Sequence, residues 1–476
     1  MSPSRPVDLS AFVKTYDVRG LVGSQLTDEV VEAFGAAFVD EIGAAGREVV
    51  VGHDMRDSSP AFAEAFTRGA VARGADVVAL GLCSTDETYF ASGSMQAPAA
   101  MFTASHNPAT YNGIKLSRAG AQGISLGTGL ADIRDRAAAY LAEGRVAPVP
   151  EPGSARRHDA LPGYAAHLRS LVDLSGIRPL KVVVDAGNGM GGLTVPAVLG
   201  EAAGLGALPL EIVPLYFELD GTFPNHEANP LEPANLVDLQ RAVVEHGADL
   251  GLAFDGDADR CFVVEERGEA VTPSAVAAIV AVREIARARA ADPADEVTVL
   301  HNLITSRAVP EAITAAGGVA VRTRVGHSLI KDEMRATGAV FGGEHSAHYY
   351  FADFWGADNG MLAAMHVLAE FGAQAEPLSV LTGRATPYAA SGEINSVVDD
   401  VPSAYARIVE AFAARGDFDE LDGLTVTGSS ADSGFWWFNV RPSNTEPLLR
   451  LNAEAQTAVE MERVRDEVLA LIRGEG

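Results

Sequence analysis

Residues 255–260 read DGDADR and follow the apolar run LGLAF, so a strand ends where Asp255, Asp257 and Asp259 begin at alternate positions. Two carboxylates about 4 Å apart repel by roughly 4 kcal/mol at an effective dielectric of 20. Three that converge therefore need a cation, or must turn apart into water. Hard oxygen ligands of this kind select Mg²⁺, Mn²⁺ or Ca²⁺ over zinc. A solvated acidic turn is the plain alternative, since Asp-Gly pairs favour turns. An EF-hand loop is a second, because Glu266 stands at the twelfth position. Arg260 occupies the position where that loop requires glycine, and CFVV continues as strand, which removes it. Arg260 beside the aspartates can orient one of them or meet a ligand phosphate.

Residues 103–108, TASHNP, set Ser105 next to His106. A Ser-His hydrolase is one reading. Adjacent residues rarely bring hydroxyl and imidazole into productive geometry, however, and no G-x-S-x-G elbow exists in the chain. DAGNGMGG (185–192) matches G-x-G-x-x-G through Gly187, Gly189 and Gly192, which would suit a dinucleotide-binding oxidoreductase. No acidic residue ends a following strand about twenty residues on, so a tight strand-to-helix turn is expected instead. GGEHSAHYYF (342–351) puts Glu344, Ser346 and His348 at alternate positions, which in a loop or extended segment points all three the same way. RPSNTEPLLR (441–450) gathers Arg441, Ser443, Asn444 and Thr445, a set able to grip a phosphate or simply to cap a turn. TRVGHSLIKDEM (323–334) carries His327 in a Gly-bounded loop ahead of Lys331.

The elements that must position these groups follow a repeat. EVVVGHDMRDSSPAFAEAFTRGA (48–70), KVVVDAGNGMGGLTVPAVL (181–199) and VTVLHNLITSRAVPEAITA (297–315) each read strand, polar loop, helix. The pattern predicts three related α/β domains with parallel strands, followed by a smaller α+β domain. Expected boundaries are 1–153, 154–268, 269–387 and 388–476, with VAPVPEPGSARR (146–157) as the first linker.

The chain has 476 residues, 47% apolar and 21% charged, with 36 basic against 64 acidic residues and a net charge of −28. Nucleic acid is excluded as a partner by this balance, since phosphate backbones need a basic footprint. An anionic substrate then requires local concentration of cations. Of the four lysines, Lys14, Lys115, Lys181 and Lys331, two fall within the motif-bearing segments. Cys83 and Cys261 allow neither a disulfide framework nor a cysteine metal cluster. No apolar run approaches the ~20 residues that span a bilayer, and the first twenty residues lack a signal-peptide core. A cytoplasmic protein without membrane partners is expected. The sequence leaves oligomeric state open, and a monomer agrees with it.

TASHNP, DGDADR, GEHSAH and RPSNTEP, in that order, resemble the α-D-phosphohexomutase family. YDVRG (16–20), GHDMRDSS (52–59), DGTFPNHEANP (220–230) and TRVGHSLIK extend the resemblance over nearly the whole chain. GEHSAHYYF is most similar to the bacterial phosphomannomutases, some of which also act on glucose phosphates. The resemblance implies four domains around a central cleft. It implies a phosphorylated Ser105 that, with Asp255, Asp257 and Asp259, holds Mg²⁺. Lys115 and His327 would be the general acid–base groups, assisted by Arg19, Arg260 and His106. Tyr16, Gly326, Glu344, Ser346 and His348 would bind the sugar, and Arg441, Ser443, Asn444 and Thr445 the distal phosphate. The implied reaction interconverts mannose 6-phosphate and mannose 1-phosphate through a hexose 1,6-bisphosphate. A phosphoglucomutase and a non-catalytic sugar-phosphate binder are the alternatives. Ala347 stands where many members have glycine, Asp86 stands where many have proline, and a basic contact at the start of the third domain could fall to His301, Asn302 or Arg307.

Overall fold

The computed structural model describes residues 8–294, 296–398, 400–430, 434–442 and 448–474, apart from the side chains of residues 327 and 328. Four sheets succeed one another along the chain. The first is built from β1 (Val18–Leu21), β2 (Glu48–His53), β3 (Asp76–Leu82), β4 (Ala99–Phe102), β5 (Tyr111–Arg118), β6 (Gln122–Gly123) and β7 (Ala155–Arg157). The second takes β8 (Leu180–Asp185), β9 (Leu210–Leu215), β10 (Leu250–Phe254), β11 (Cys261–Glu265) and β12 (Ala270–Val271). The third takes β13 (Thr298–Asn302), β14 (Val319–Thr323), β15 (Phe341–Gly343), β16 (Tyr349–Phe351) and β17 (Ala357–Asp358).

These three sheets share one topology. The leading strands β2, β8 and β13 are near-continuous Val/Leu runs buried on both faces, as strands covered by helices on each side must be. Each pairs in parallel with the next strand on one side and with the third on the other. The third strand in each then turns back into an antiparallel partner: β4 into β5, β10 into β11, β15 into β16. The strand order reverses beside the leading strand, and in open α/β sheets the crevice at that point, beyond the carboxyl ends of the strands, is where ligands bind. TASHNP, DGDADR and EHSAH are the three hairpin turns at this one place.

The fourth sheet, β18 (Ala389–Val397), β22 (Leu448–Ala455), β21 (Gly434–Pro442), β20 (Leu424–Ser430) and β19 (Asp417–Asp419) in spatial order, is antiparallel throughout. Helices Val401–Phe412 and Ala458–Arg473 pack on it around a core of its own, with Phe412, Phe438 and Val464 fully buried.

The α/β units meet through an aromatic hub. Phe90 comes from helix α1 (Thr85–Met95) of the first unit, Tyr164 and His167 from the second, Phe354 and Trp355 from the third. His167 and Trp355 stack with centroids 5.2 Å apart. Gly93 makes room for the indole, because a Cβ there would come within 2.2 Å of the ring. Two edge strands run past the boundaries read from sequence: β7 adds to the first sheet beyond residue 153, and β12 to the second beyond 268. Both are too short, and β7 too charged, to show an apolar pattern.

Candidate active site

The turn between β4 and β5 is held from beneath by Arg56, which lies in the polar loop after β2. Its guanidinium donates to the carbonyl oxygens of Ser105 (2.8 Å), Asn107 (2.6 Å), Pro108 (3.0 Å) and Tyr111 (3.1 Å). Arg56 is 1% exposed and balanced by buried Asp54 at 3.2 Å. This anchoring sustains Ser105 at φ +50°, a left-handed conformation that costs a non-glycine residue on the order of 1 kcal/mol or more. The opposing turn between β10 and β11 comes close: a Cβ on Gly256 would lie 2.4 Å from the Ser105 carbonyl oxygen. Gly256 therefore sets how near serine and aspartates can come.

The Ser105 hydroxyl donates to Asp255 Oδ2 at 2.9 Å, although 150 residues separate the two in sequence. Arg260 donates to Asp255 through Nε (2.9 Å) and its own backbone N–H (3.2 Å). It also donates through Nη2 to His106 Nδ1 at 2.6 Å. A guanidinium only donates, so His106 Nδ1 carries no proton and its lone pair is engaged. Burial, reinforced by Arg260 and Arg19, holds the His106 pKa well below the usual imidazole range. His106 thus stands 3.2 Å from the Ser105 hydroxyl without the free basic nitrogen that a Ser-His hydrolase needs.

Lys115 on β5 reaches Asp257 Oδ2 (2.7 Å) and Asp259 Oδ2 (2.6 Å). Burial opposes the Lys115 charge, but these two carboxylates outweigh it and raise the pKa well above the ordinary value. Burial works against the Asp257 charge too, yet Lys115 and the donated hydrogen bonds pull that group down. Asp259 goes well up, through burial and then the Asp257 charge. Burial also raises Asp255. Among the described residues, three carboxylates thus share two cations, and Asp257 Oδ1 and Asp259 Oδ1 are buried without a hydrogen-bond partner. Carboxylate oxygens of all three lie within 4.8 Å of one another. Buried acceptors left unpaired among excess negative charge fit a hard divalent cation.

The EHSAH turn is tighter than strand alternation implies. Ala347 adopts φ +66°, the conformation in which glycine is at ease, and the turn folds back so that Glu344 N–H donates to the His348 carbonyl at 3.0 Å. The three polar ends nonetheless meet, as the alternate spacing suggests: His348 Nδ1 lies 3.0 Å from Ser346 Oγ and 3.9 Å from Glu344 Oε2. Glu344 is buried, accepting from Tyr350 OH (2.7 Å) and Gly326 N–H (3.2 Å), and burial raises its pKa. Ser346 and His348 lie 3.0 Å apart, and His348 Nε2 is 3.8 Å from Asp259 Oδ1, which ties this turn to the acidic one. Tyr16 adjoins Gly326: a Cβ at 326 would come within 2.7 Å of its hydroxyl. Arg19 donates to Asn107 Oδ1 (2.6 Å) on the serine turn and to Asp17 (2.6 Å). Among the three residues considered for a basic contact, His301 is buried with its pKa lowered to about 4, Asn302 faces Glu344, and Arg307 pairs with Glu311 at 2.7 Å.

In the fourth unit Arg441 on β21 and Arg450 on β22 face each other in register, and Glu393 bridges them at 2.7 and 3.0 Å. Ser443, Asn444, Thr445 and the side chain of His327 lie outside the described residues. Arg56, Arg450 and Glu393 have no role from sequence, though Arg56 and Arg450 stand within segments singled out there and Glu393 does not. The glycines of DAGNGMGG brace the acidic turn: Met190 N–H donates to the Gly256 carbonyl at 2.9 Å, and a Cβ on Gly189 would meet that oxygen at 2.6 Å. The tight turn expected there is present, in contact with protein backbone where a dinucleotide reading needs room for a pyrophosphate.

Comparisons with known proteins cover almost all of the chain. Residues 11–139, 162–268 and 273–388 match "Phosphoglucomutase/phosphomannomutase, alpha/beta/alpha" domains I, II and III, and residues 393–471 match the C-terminal domain of the same family. Phosphohexose mutases of Xanthomonas campestris pv. campestris are 40% identical over 98% of this chain and 100% of theirs. A phosphomannomutase of Salmonella montevideo is 37% identical over 96% of this chain and 98% of its own. Among solved structures, a phosphoglucomutase/phosphomannomutase family protein from Burkholderia thailandensis superposes with a TM-score of 0.83 at 29% identity, covering 97% of this chain and 98% of that one.

Proposed function

The chain belongs to the phosphoglucomutase/phosphomannomutase family, the α-D-phosphohexomutases, and from that premise we propose that it interconverts mannose 6-phosphate and mannose 1-phosphate through a phosphorylated Ser105. It is an intramolecular phosphotransferase of the isomerase class. The observation that carries the assignment of roles is the Ser105 hydroxyl on Asp255, inside a buried cluster with Asp257, Asp259, Lys115 and Arg260.

In the proposed cycle the P–O bond to Ser105 breaks as one to a sugar hydroxyl forms, the hydroxyl proton passing to a basic group. The resulting hexose 1,6-bisphosphate turns end for end, and its other phosphoryl group returns to Ser105. Asp255, Asp257 and Asp259 would hold Mg²⁺ together with the serine phosphate. When bound, this ion would offset the −1.5 to −2 charges of a phosphoserine at neutral pH. Lys115 and His327 would be the proton-exchanging groups. His106 stays neutral and Arg260 positions Asp255. Arg19, held on the serine turn, assists. Tyr16, Gly326, Glu344, Ser346 and His348 would read the sugar, and Glu344, already accepting from Tyr350, would need partners that donate.

Arg441, Ser443, Asn444 and Thr445 would take the distal phosphate. The Arg441–Glu393–Arg450 bridge supports this, because a carboxylate already sits between two guanidinium groups where a phosphate dianion would be preferred. Among the described residues no helix is long and apolar enough to cross a membrane, in keeping with a proposed cytoplasmic site of action on soluble hexose phosphates. Phosphorus NMR of mannose 1-phosphate and of glucose 1-phosphate, with enzyme, Mg²⁺ and catalytic bisphosphate, tests reaction and preference together. The 6-phosphate signal should grow faster from mannose. Ser105→Ala should abolish that growth while keeping the native circular dichroism, and full turnover in the variant would overturn the phosphoserine.

A further inference from the structure

Helix α1 begins with STDE (84–87), a segment to which the reaction above gives no part. Its first residue, Thr85, is fully buried and reaches across to the acidic turn of the second unit. The Thr85 hydroxyl donates to Asp257 Oδ2 at 2.5 Å, and the Thr85 N–H donates to the Asp257 carbonyl oxygen at 3.1 Å. Side chain and main chain of one aspartate are thus both fixed by one residue that lies 172 positions away in sequence.

Thr85 is itself held rigidly. Ser84 caps the helix by accepting from Glu87 N–H at 3.1 Å, and Thr88 Oγ1 donates back to the Ser84 carbonyl at 3.2 Å. Tyr164, from the second unit, donates to Asp86 Oδ2 at 2.6 Å, so the helix start is braced by the same unit that carries Asp257. Asp86, where many relatives of this fold have proline, is here a bracing residue.

We infer that Thr85 is a positioning residue for the metal site: it ties down Asp257 Oδ2 and the Asp257 main chain, so that the buried Asp257 Oδ1, unpartnered among the described residues, is the oxygen presented to a divalent cation. Lys115 also donates to Oδ2, which among the described residues leaves Oδ1 as the acceptor not already engaged. Groups that orient a ligand from outside the coordination shell commonly contribute ten- to a hundredfold in metal affinity. The inference rests on the reading of the aspartate triplet as a metal site.

The test compares Mg²⁺ and Mn²⁺ affinity by isothermal titration calorimetry in wild-type protein, Thr85→Val and Thr85→Ser. Thr85→Val keeps the shape and loses the hydroxyl; it should bind about ten- to a hundredfold more weakly. Thr85→Ser keeps the donor and should stay within about threefold of wild type, inside the loss expected for the valine variant. If the valine variant does not fold, Thr85→Ala makes the same comparison. Unchanged affinity in Thr85→Val, or an equal loss in Thr85→Ser, overturns the inference even if the melting temperature falls. Absence of Mg²⁺ and Mn²⁺ binding by wild-type protein overturns the metal reading itself, and this inference with it.

Discussion

Arg56 shows how much of a turn's shape can depend on one buried side chain. Four carbonyl oxygens of the serine turn accept from one buried guanidinium, and that guanidinium neutralises Asp54. Removing the cation leaves Asp54 charged and unpaired in the interior, a change that costs about 3–5 kcal/mol. Arg56→Met should therefore lower the urea unfolding free energy by about that much. It should also depress turnover more than substrate affinity, because Ser105 loses the support for its left-handed backbone. A loss under about 1 kcal/mol, the range of an exposed ion pair, would show that the anchor contributes little. Nothing in GHDMRDSS distinguishes this arginine from an exposed one. Its partners are carbonyl oxygens about fifty residues downstream, and main-chain acceptors leave no mark in the identities of the residues that carry them.

At the scale of elements, the three chemistry-bearing turns occupy one topological position in three sheets of like strand order. The repeat was legible as strand, loop and helix, because Val-rich strands buried on both faces announce themselves. The shared site of the turns was not, because it follows from which strand pairs with which. Glu344, Ser346 and His348 do come together as their spacing suggests, but through a turn at Ala347 that the alternation alone does not show. By contrast, DGDADR was legible because three carboxylates in six residues pose an electrostatic problem wherever they fold. Gly256 within it carries a steric requirement that the acidic pattern hides. Gly256→Ala would set a methyl group 2.4 Å from the Ser105 carbonyl oxygen and force the serine and aspartate turns apart. A displacement near 1 Å costs about a hundredfold in rate, so kcat should fall by about that factor with KM little changed. Steady-state kinetics on mannose 1-phosphate decides it, and a variant with wild-type kcat would show that the two turns need not stay so close.

Across the whole molecule, charge and packing divide the work between the fourth unit and the rest. With a net charge of −28, the protein can attract a sugar phosphate only where cations are gathered locally. Among the described residues they gather in two places that bear on the proposed reaction: Lys115, Arg260, Arg56 and Arg19 around the serine and acidic turns, Arg441 and Arg450 in the fourth unit. The first group belongs to units joined by the aromatic hub and, for the second and third, by a continuous core. The second group stands on a sheet whose core is separate, touching the third unit through polar contacts such as Arg307 N–H to Glu454 (2.9 Å) and Val325 N–H to Asp422 (3.0 Å). Damage to that separate core should therefore spare the metal site and abolish the reaction. Phe438 is fully buried between Phe412 and Trp436, and Phe438→Ala should cost the fourth unit about 3–5 kcal/mol. Calorimetry should then show an early transition for that unit ahead of the main one. Between the two temperatures Mg²⁺ should still bind while turnover is lost. A single shifted transition, with metal binding and activity lost together, would mean that the four units unfold as one.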